Sequence, residues 1–241
     1  MKLIFLDTET TGNDLKQDRL CQLCYKVDDK IITKNFKPTI PISIKAMSIT
    51  NITNKMVENE EIFKDSQTYK DLEVLLENNI LVAHNAKFDI AMLASEGLKV
   101  PNFICTLRLA RYLDDQQEIP EYNLQFLRYY YGVEVDALPH SADGDVMVLE
   151  FVFKHLCKIA QEKSNTKTNY DEMIKRMMEI SAKPSLIRKF AFGKYNSRFV
   201  EEIAKEDRGY LEWFLREKEK EGDDEDWIYT LKYYLGQLLI L

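Results

Sequence analysis

The chain opens with four consecutive apolar residues, Leu3 to Leu6, closed by a charge at Asp7. A short apolar run bounded in this way predicts a buried strand over Lys2–Asp7. Two more strands are expected at Leu20–Val27 and Lys30–Lys37, joined by a turn at Asp28-Asp29. Pro38 and Pro41 end that section of sheet. Short helices are expected across Ile44–Glu58, and Asp65 can cap a helix running to Asn78 with Leu72, Leu75 and Leu76 inward. Ile80–Ala83 and Phe103–Cys105 read as short strands. Ala86–Ser95, Leu107–Leu113 and Asn123–Tyr131 read as helices, the first and last stopped by Gly97 and Gly132. Ser141 can cap a long helix carrying Val146, Leu149, Val152, Phe153 and Leu156 at helical spacing.

Three strands followed by βα units predict an α/β fold with a mixed sheet, its first strand central and helices packed against it. Polar residues over Gln161–Asn169 suggest a boundary. The expected organisation is a first domain over 1–160, a linker over 161–170 and a small, mostly helical region over 171–241. That region has helices at Met173–Ile180, Gly209–Lys220 and Trp227–Leu241, and a hairpin pairing Leu186–Phe192 with Arg198–Val200.

The 241 residues, 45% hydrophobic and 30% charged, suffice for a real core in one large domain plus a small one. No apolar run reaches the length of a membrane span, and a charge at residue 7 argues against a signal peptide. A soluble cytoplasmic protein with no membrane contact is expected. The net charge of −7 argues against a broad nucleic-acid groove, though not against a site that grips a strand end. Cys21 and Cys24 have metal-ligand spacing but no second Cys/His pair, and on a strand they point to opposite faces. Buried reduced thiols are expected there.

The residues that carry chemistry lie in three pieces. Asp7 and Glu9 sit two apart at a strand end, so both carboxylates leave the same face. Asp89 and Asp145 are expected in the first turns of two helices, and strand ends and helix N-termini converge at one edge of an α/β sheet. Four carboxylates gathered there would repel, and they suit hard divalent cations with oxygen ligands, Mg2+ or Mn2+. Two such ions flank both oxygens of an in-line displacement at phosphorus. His140, five residues before Asp145, is placed to take a proton from the attacking water.

Asp7-Thr8-Glu9-Thr10-Thr11-Gly12, His84-Asn85-Ala86-Lys87-Phe88-Asp89 and His140-Ser141-Ala142-Asp143-Gly144-Asp145 resemble the three motifs of the DnaQ-like exonucleases with a catalytic histidine. Pro41-Ile42-Ser43, Ile104–Arg111, Pro184-Ser185-Leu186, Phe192–Tyr195 and Gly209–Trp213 are similar to the exodeoxyribonuclease X branch of that family. The resemblance spans nearly the whole chain. It implies a ribonuclease H-like, five-stranded mixed sheet flanked by helices. It also implies 3′→5′ removal of 5′-mononucleotides from DNA 3′ ends with two metal ions per site. In it Asp7 bridges both ions, Glu9 and Asp145 complete one site and Asp89 serves the other. Thr8, Thr10, His84, Asn85 and Phe88 would line the pocket of the terminal nucleotide. The chain departs from the family at Thr50-Asn51, where His-Gly is frequent, and at Asn196-Ser197, where a basic residue and Gly are usual.

Read from the residues alone, other roles stay open. His84 can be a structural hydrogen-bonder at a strand end. Ser181–Val200 holds Lys183, Arg188, Lys189, Lys194 and Arg198, no acid and four interleaved aromatics. This suits DNA contact through Lys189, Lys194 and Arg198, or a solvated basic face over an aromatic core. Gln237–Leu241 loosely resembles peptides that dock on a sliding clamp, or is the apolar last turn of a helix. The alternatives for the whole chain are an RNA 3′-trimming exonuclease of the same fold and a non-catalytic DNA-binding or proofreading-partner protein.

Overall fold

The computed structural model describes residues 1–115, 118–133, 142–164, 169–222 and 224–237. The chain divides into two compact units, one of Met1–Leu113 with Tyr122–Ala182, the other of Asp114–Glu121 with Lys183–Leu241.

The first unit is built on a five-stranded sheet in the order β3-β2-β1-β4-β5. Its strands are β1 (Leu3–Thr10), β2 (Leu20–Val27), β3 (Lys30–Asn35), β4 (Ile80–Ala83) and β5 (Phe103–Cys105). β1 is central, antiparallel to β2 and parallel to β4, while β2–β3 is antiparallel and β4–β5 parallel. This is the expected mixed sheet. β1 runs three residues past the expected end, so Glu9 is also on the strand.

Alternation along β1 sorts its side chains between two layers. Ile4 and Leu6 bury in one cluster with Leu72 and Leu76 of α3 (Gln67–Asn78) and Leu93 of α4 (Ala86–Ser95). Phe5 faces the other way and meets Phe153 of α7 (Ala142–Lys163) edge-to-face, at 5.6 Å between ring centres. On β2, Lys26 pairs with Glu150 of the same helix. Asp7 and Glu9, two and four residues after Phe5, therefore leave β1 on the α7 side.

Short helices α1 (Ile44–Thr50) and α2 (Asn54–Val57) follow the first three strands as expected. Asn51 takes φ +59° as the C-cap of α1, its N–H donating to the Met47 carbonyl at 3.0 Å. The chain thus fills with Asn a left-handed position that suits Gly best. α3 is capped by the Ser66 hydroxyl rather than by Asp65. α5 (Thr106–Leu113) and α6 (Leu124–Tyr130) complete the set before α7.

The boundary expected over 161–170 is not where the structure divides. α8 (Tyr170–Ser181) belongs to the first unit and buries Met173, Ile174 and Met177. At its end Ser181 Oγ accepts from the Cys105 N–H, and the Ser181 carbonyl accepts from Arg108 Nη1, each at 2.8 Å. The polar stretch that looked like a linker lies between two helices of one unit.

In the second unit, α9 (Val200–Glu206), α10 (Arg208–Glu221) and α11 (Glu225–Tyr234) enclose an aromatic core. Phe190 is 1% exposed, stacks on Trp227 at 4.9 Å and packs with Val200, Leu211, Phe214 and Leu231. The chain after Pro184 is pinned to α11, because Ser185 donates to Asp226 and the Ile187 N–H donates to Thr230 Oγ1. The expected hairpin is reduced to a single bridge between Lys189 and Phe199. A 3₁₀ turn fills its tip, where Ser197, not Asn196, takes φ +67°. Of the segment's aromatics only Phe190 enters the core, while Phe192 and Phe199 stay exposed.

Candidate active site

The turn that follows β1 begins with a network around Asp18. Its carboxylate accepts from the Thr11 hydroxyl and the Asp14 N–H, each at 2.7 Å. It presses so closely on Gly12 that any Cβ there would fall inside van der Waals contact. Thr10 is buried, and its hydroxyl donates to the Gly12 carbonyl at 2.6 Å. Thr10 therefore shapes the turn.

Asp89 comes from the α4 side. Asn85 takes φ +60° as the N-cap of α4, and Asp89 lies in that helix's first turn, 4% exposed. Its Oδ1 accepts from both the Thr8 N–H at 3.1 Å and the Thr8 hydroxyl at 2.8 Å. Thr8, expected at the nucleotide, commits both donors to Asp89. Asp145 comes from the opposite layer, in the first turn of α7, and its Oδ1 accepts from Gln125 Nε2 at 2.5 Å.

All four carboxylates meet electrostatically at Asp7. Burial drives the Asp7 carboxyl well above its ordinary value, and the charges of Asp89, Glu9 and Asp145 add to it in that order. Glu9 is pushed up to about 7, by burial first and by Asp145 second. Asp89 is also pushed up to about 7 by burial and by Glu9, against the pull of the Thr8 donors. Two unit charges at 4 Å repel by roughly 4 kcal/mol at an effective dielectric of 20, so this group gains from any cation bound among it. An all-oxygen donor set of this charge fits Mg2+ or Mn2+. Among the described residues, no three acidic, His or Cys side chains already stand as a ligand set. Asp89 and Asp145 each spend an oxygen on a protein donor instead.

His140 lies outside the described residues. His84 resolves to its structural role. Its Nε2 donates to the Tyr122 carbonyl at 2.8 Å, which fixes the tautomer, and Nδ1 lies 2.9 Å from the Thr106 hydroxyl. Burial lowers its pKa to about 4, so the ring is neutral and neither nitrogen remains for a nucleotide. Asn85 is exposed at the helix start and Phe88 is half-buried one turn along. Cys21 and Cys24 are buried, and burial pushes both thiols up to about 12, as expected for reduced core cysteines.

In the second unit the three candidate DNA-contacting cations are engaged locally. Lys194 pairs with Asp207 at 3.0 Å and lies over the Tyr195 and Tyr210 rings. Arg198 pairs with Glu206 at 2.8 Å and Glu202 at 3.5 Å, and Lys189 lies over Phe199. Leu238–Leu241, most of the clamp-like tail, lies outside the described residues. Among the described residues no helix is long and apolar enough to cross a membrane.

Sequence reasoning missed Gln125 and the Tyr122 carbonyl. Both belong to the start of α6 and act through partners 20 and 38 residues away, a link that no local pattern encodes. Gln125 Oε1 is buried and has no hydrogen-bond partner among the described residues. An unsatisfied buried acceptor costs about 1–3 kcal/mol.

The family model described as "Exonuclease" matches residues 4–153, which include Asp7, Glu9, Asp89, His140 and Asp145. The chain belongs to the exonuclease family. A second model, "Exodeoxyribonuclease X-like C-terminal", matches residues 190–219 of this exonuclease-family chain. "Exodeoxyribonuclease 10" of Escherichia coli (strain K12) is 29% identical over 243 residues, covering 97% of this chain and 98% of the relative. "DNA polymerase III PolC-type" of Caldanaerobacter subterraneus subsp. tengcongensis is 30% identical over 67% of this chain but only 12% of its own length. The solved structure of "Exonuclease X in complex with 5′ overhanging duplex DNA" aligns with a TM-score of 0.54 at 24% identity, covering 74% of this chain and 99% of that one. E. coli Exonuclease I with a dA16 oligonucleotide aligns at 0.55 and 16% identity, over 73% of this chain and 42% of that one. These neighbours share the ribonuclease H-like fold expected from the motifs.

Proposed function

We propose that this exonuclease-family protein removes 5′-mononucleotides from DNA 3′ ends in a reaction that depends on two divalent cations, Mg2+ or Mn2+. The observation that carries the reading is that Asp7 feels the charges of Asp89, Glu9 and Asp145 together, although they come from β1, α4 and α7. A protein that only bound DNA would have no use for four mutually repelling carboxylates.

In this reading Asp7, Glu9, Asp89 and Asp145 hold the cations. When bound, these supply positive charge to the attacking and leaving oxygens of the phosphodiester. The chain's own residues do the rest. Thr8 fixes the rotamer of Asp89 through two donors, and Gln125 holds Asp145. His140, as the neutral imidazole, takes the proton of the attacking water, so activity rises with pH through the histidine range near about 6.5. Asn85 and Phe88, at the start of α4 beside Asp89, contact the terminal nucleotide. Thr8, Thr10 and His84 support the site from behind. Lys189, Lys194 and Arg198 contact the DNA backbone, Lys194 and Arg198 exchanging their acidic partners for phosphates. DNA repair in the cytoplasm and a weak clamp contact through Gln237–Leu241 are consistent with such an activity.

The test uses 5′-labelled DNA and RNA oligonucleotides with Mg2+, Mn2+ or chelator, for wild type and Asp7→Asn. A ladder shortening DNA from its 3′ end, abolished by chelator and by D7N, is expected. Degradation of RNA alone would replace the substrate, and no ladder with any metal would leave a binding protein.

A further inference from the structure

The geometry points to Gln125 as a positioning residue for the metal-binding carboxylate Asp145, an inference that rests on the metal-dependent reading above. Gln125 enters at the start of α6 and aims the donor end of its amide at Asp145 Oδ1. The opposite orientation would set a carbonyl oxygen against a carboxylate, so the short contact assigns the amide. The acceptor end, Oε1, is left buried and without a partner among the described residues.

A side chain serving only to fill this place would be better as Met or Leu, which leave no buried acceptor unsatisfied. The protein keeps the amide, and what the amide gains is a donor on Asp145. A hydrogen bond of this kind fixes the rotamer of a carboxylate ligand and turns its remaining lone pairs toward one place, as the outer partners of metal ligands do elsewhere. It also spans two elements, since Gln125 is on α6 and Asp145 on α7. The same start of α6 holds His84 through the Tyr122 carbonyl, and Asn123 caps the helix by accepting from the Phe126 N–H at 2.8 Å. Tyr122–Gln125 thus ties the strand end that precedes Asp89 to the helix that carries Asp145. Thr8 plays the matching part for Asp89. Each of these two carboxylates has its own donor from a neighbouring element.

The test titrates Mn2+ alone into full-length wild type, Gln125→Glu and Gln125→Met, reading bound metal by paramagnetic resonance, and separately melts each protein in chelator. Q125E keeps the shape and removes the donor; Q125M keeps the length and removes both polar ends. Both variants are expected to bind Mn2+ about tenfold more weakly or worse, Q125E worst. In chelator Q125M is expected to melt at or above wild type, because the orphan acceptor is gone. A purely structural role predicts the reverse, lower melting with unchanged metal binding. Variants that bind Mn2+ as tightly as wild type would overturn this inference alone. Wild type that binds no Mn2+ would overturn the metal-dependent reading with it.

Discussion

The two units use the same charged side chains in opposite ways. Around Asp7 the first unit sets acids beside acids, Asp89 buried and Asp7, Glu9 and Asp145 half-buried, and desolvation with like charge pushes Glu9 and Asp89 up to about 7. In the second unit acids meet cations at the surface, and Asp207 and Glu206 are held below their ordinary values by partners such as Tyr195 with Lys194 and Arg198. The exposed pairs are screened by water and contribute little to folding. The buried acids work against folding until something positive arrives. An arrangement that destabilises its own unit is a sign of function, whereas one that stays near neutral says little.

The largest expected effect breaks the first half of that contrast. Asp7→Asn removes the carboxylate on which the other three act and is expected to lower nuclease activity by on the order of 10³-fold, as a loss of several kcal/mol of charge stabilisation requires. In chelator the same variant is expected to melt higher, by about 2–4 °C for each kcal/mol of repulsion relieved. Loss of activity with loss of stability would mean that Asp7 is a structural acid.

Next in size is the core of the second unit. Phe190→Ala is expected to cost about 3–5 kcal/mol, since a fully buried ring leaves a cavity among Trp227, Phe214 and Val200. Chemical denaturation of full-length protein measures it, and a loss below about 1 kcal/mol would show that the aromatic cluster is not a packed core.

The pH dependence of metal-free stability sharpens the contrast. Glu9 and Asp89 bind protons more tightly folded than unfolded, so their contribution is fully present below about pH 4 and is lost as pH rises through about 7. His84, lowered to about 4, acts in the opposite sense and is fully favourable only above its unfolded value of about 6.5. The two oppose each other in acid, and above about pH 6.5 the carboxylates act alone. In chelator, thermal melts from pH 6.5 to pH 8 are expected to fall, by on the order of 1–3 kcal/mol, and Mg2+ should abolish the fall. A flat profile in chelator would remove the buried-charge argument.

The smallest effect on folding is expected from Arg198→Ala, little or none, because its pairs with Glu206 and Glu202 are exposed and screened by water. On DNA the same change should weaken binding and reduce the salt slope by about one. Unchanged affinity and slope would confine Arg198 to its own acids.

Much of this was legible in the sequence because it is local. The apolar run ending at Asp7, the i, i+2 spacing to Glu9 and the βα order after Ile80 fix the central strand and its edge. Where local reading failed, a distant partner decided. Ser181 fastens α8 to β5 across 76 residues, so a polar stretch that looked like a linker proved internal to one unit. The Leu186–Val200 segment has hairpin character in one dimension, but Phe190 turns toward Trp227 and leaves one bridge.

The sequence by itself determined which residues carry charge at the sheet edge, and hence the kind of chemistry, since alternation and helix periodicity follow from backbone geometry alone. Only the tertiary structure decided that Thr8 serves Asp89, that His84 spends both nitrogens on the scaffold and that Gln125 reaches Asp145. Hydrogen bonds between elements depend on where packing sets those elements in space, and that is a property of the whole core rather than of any segment.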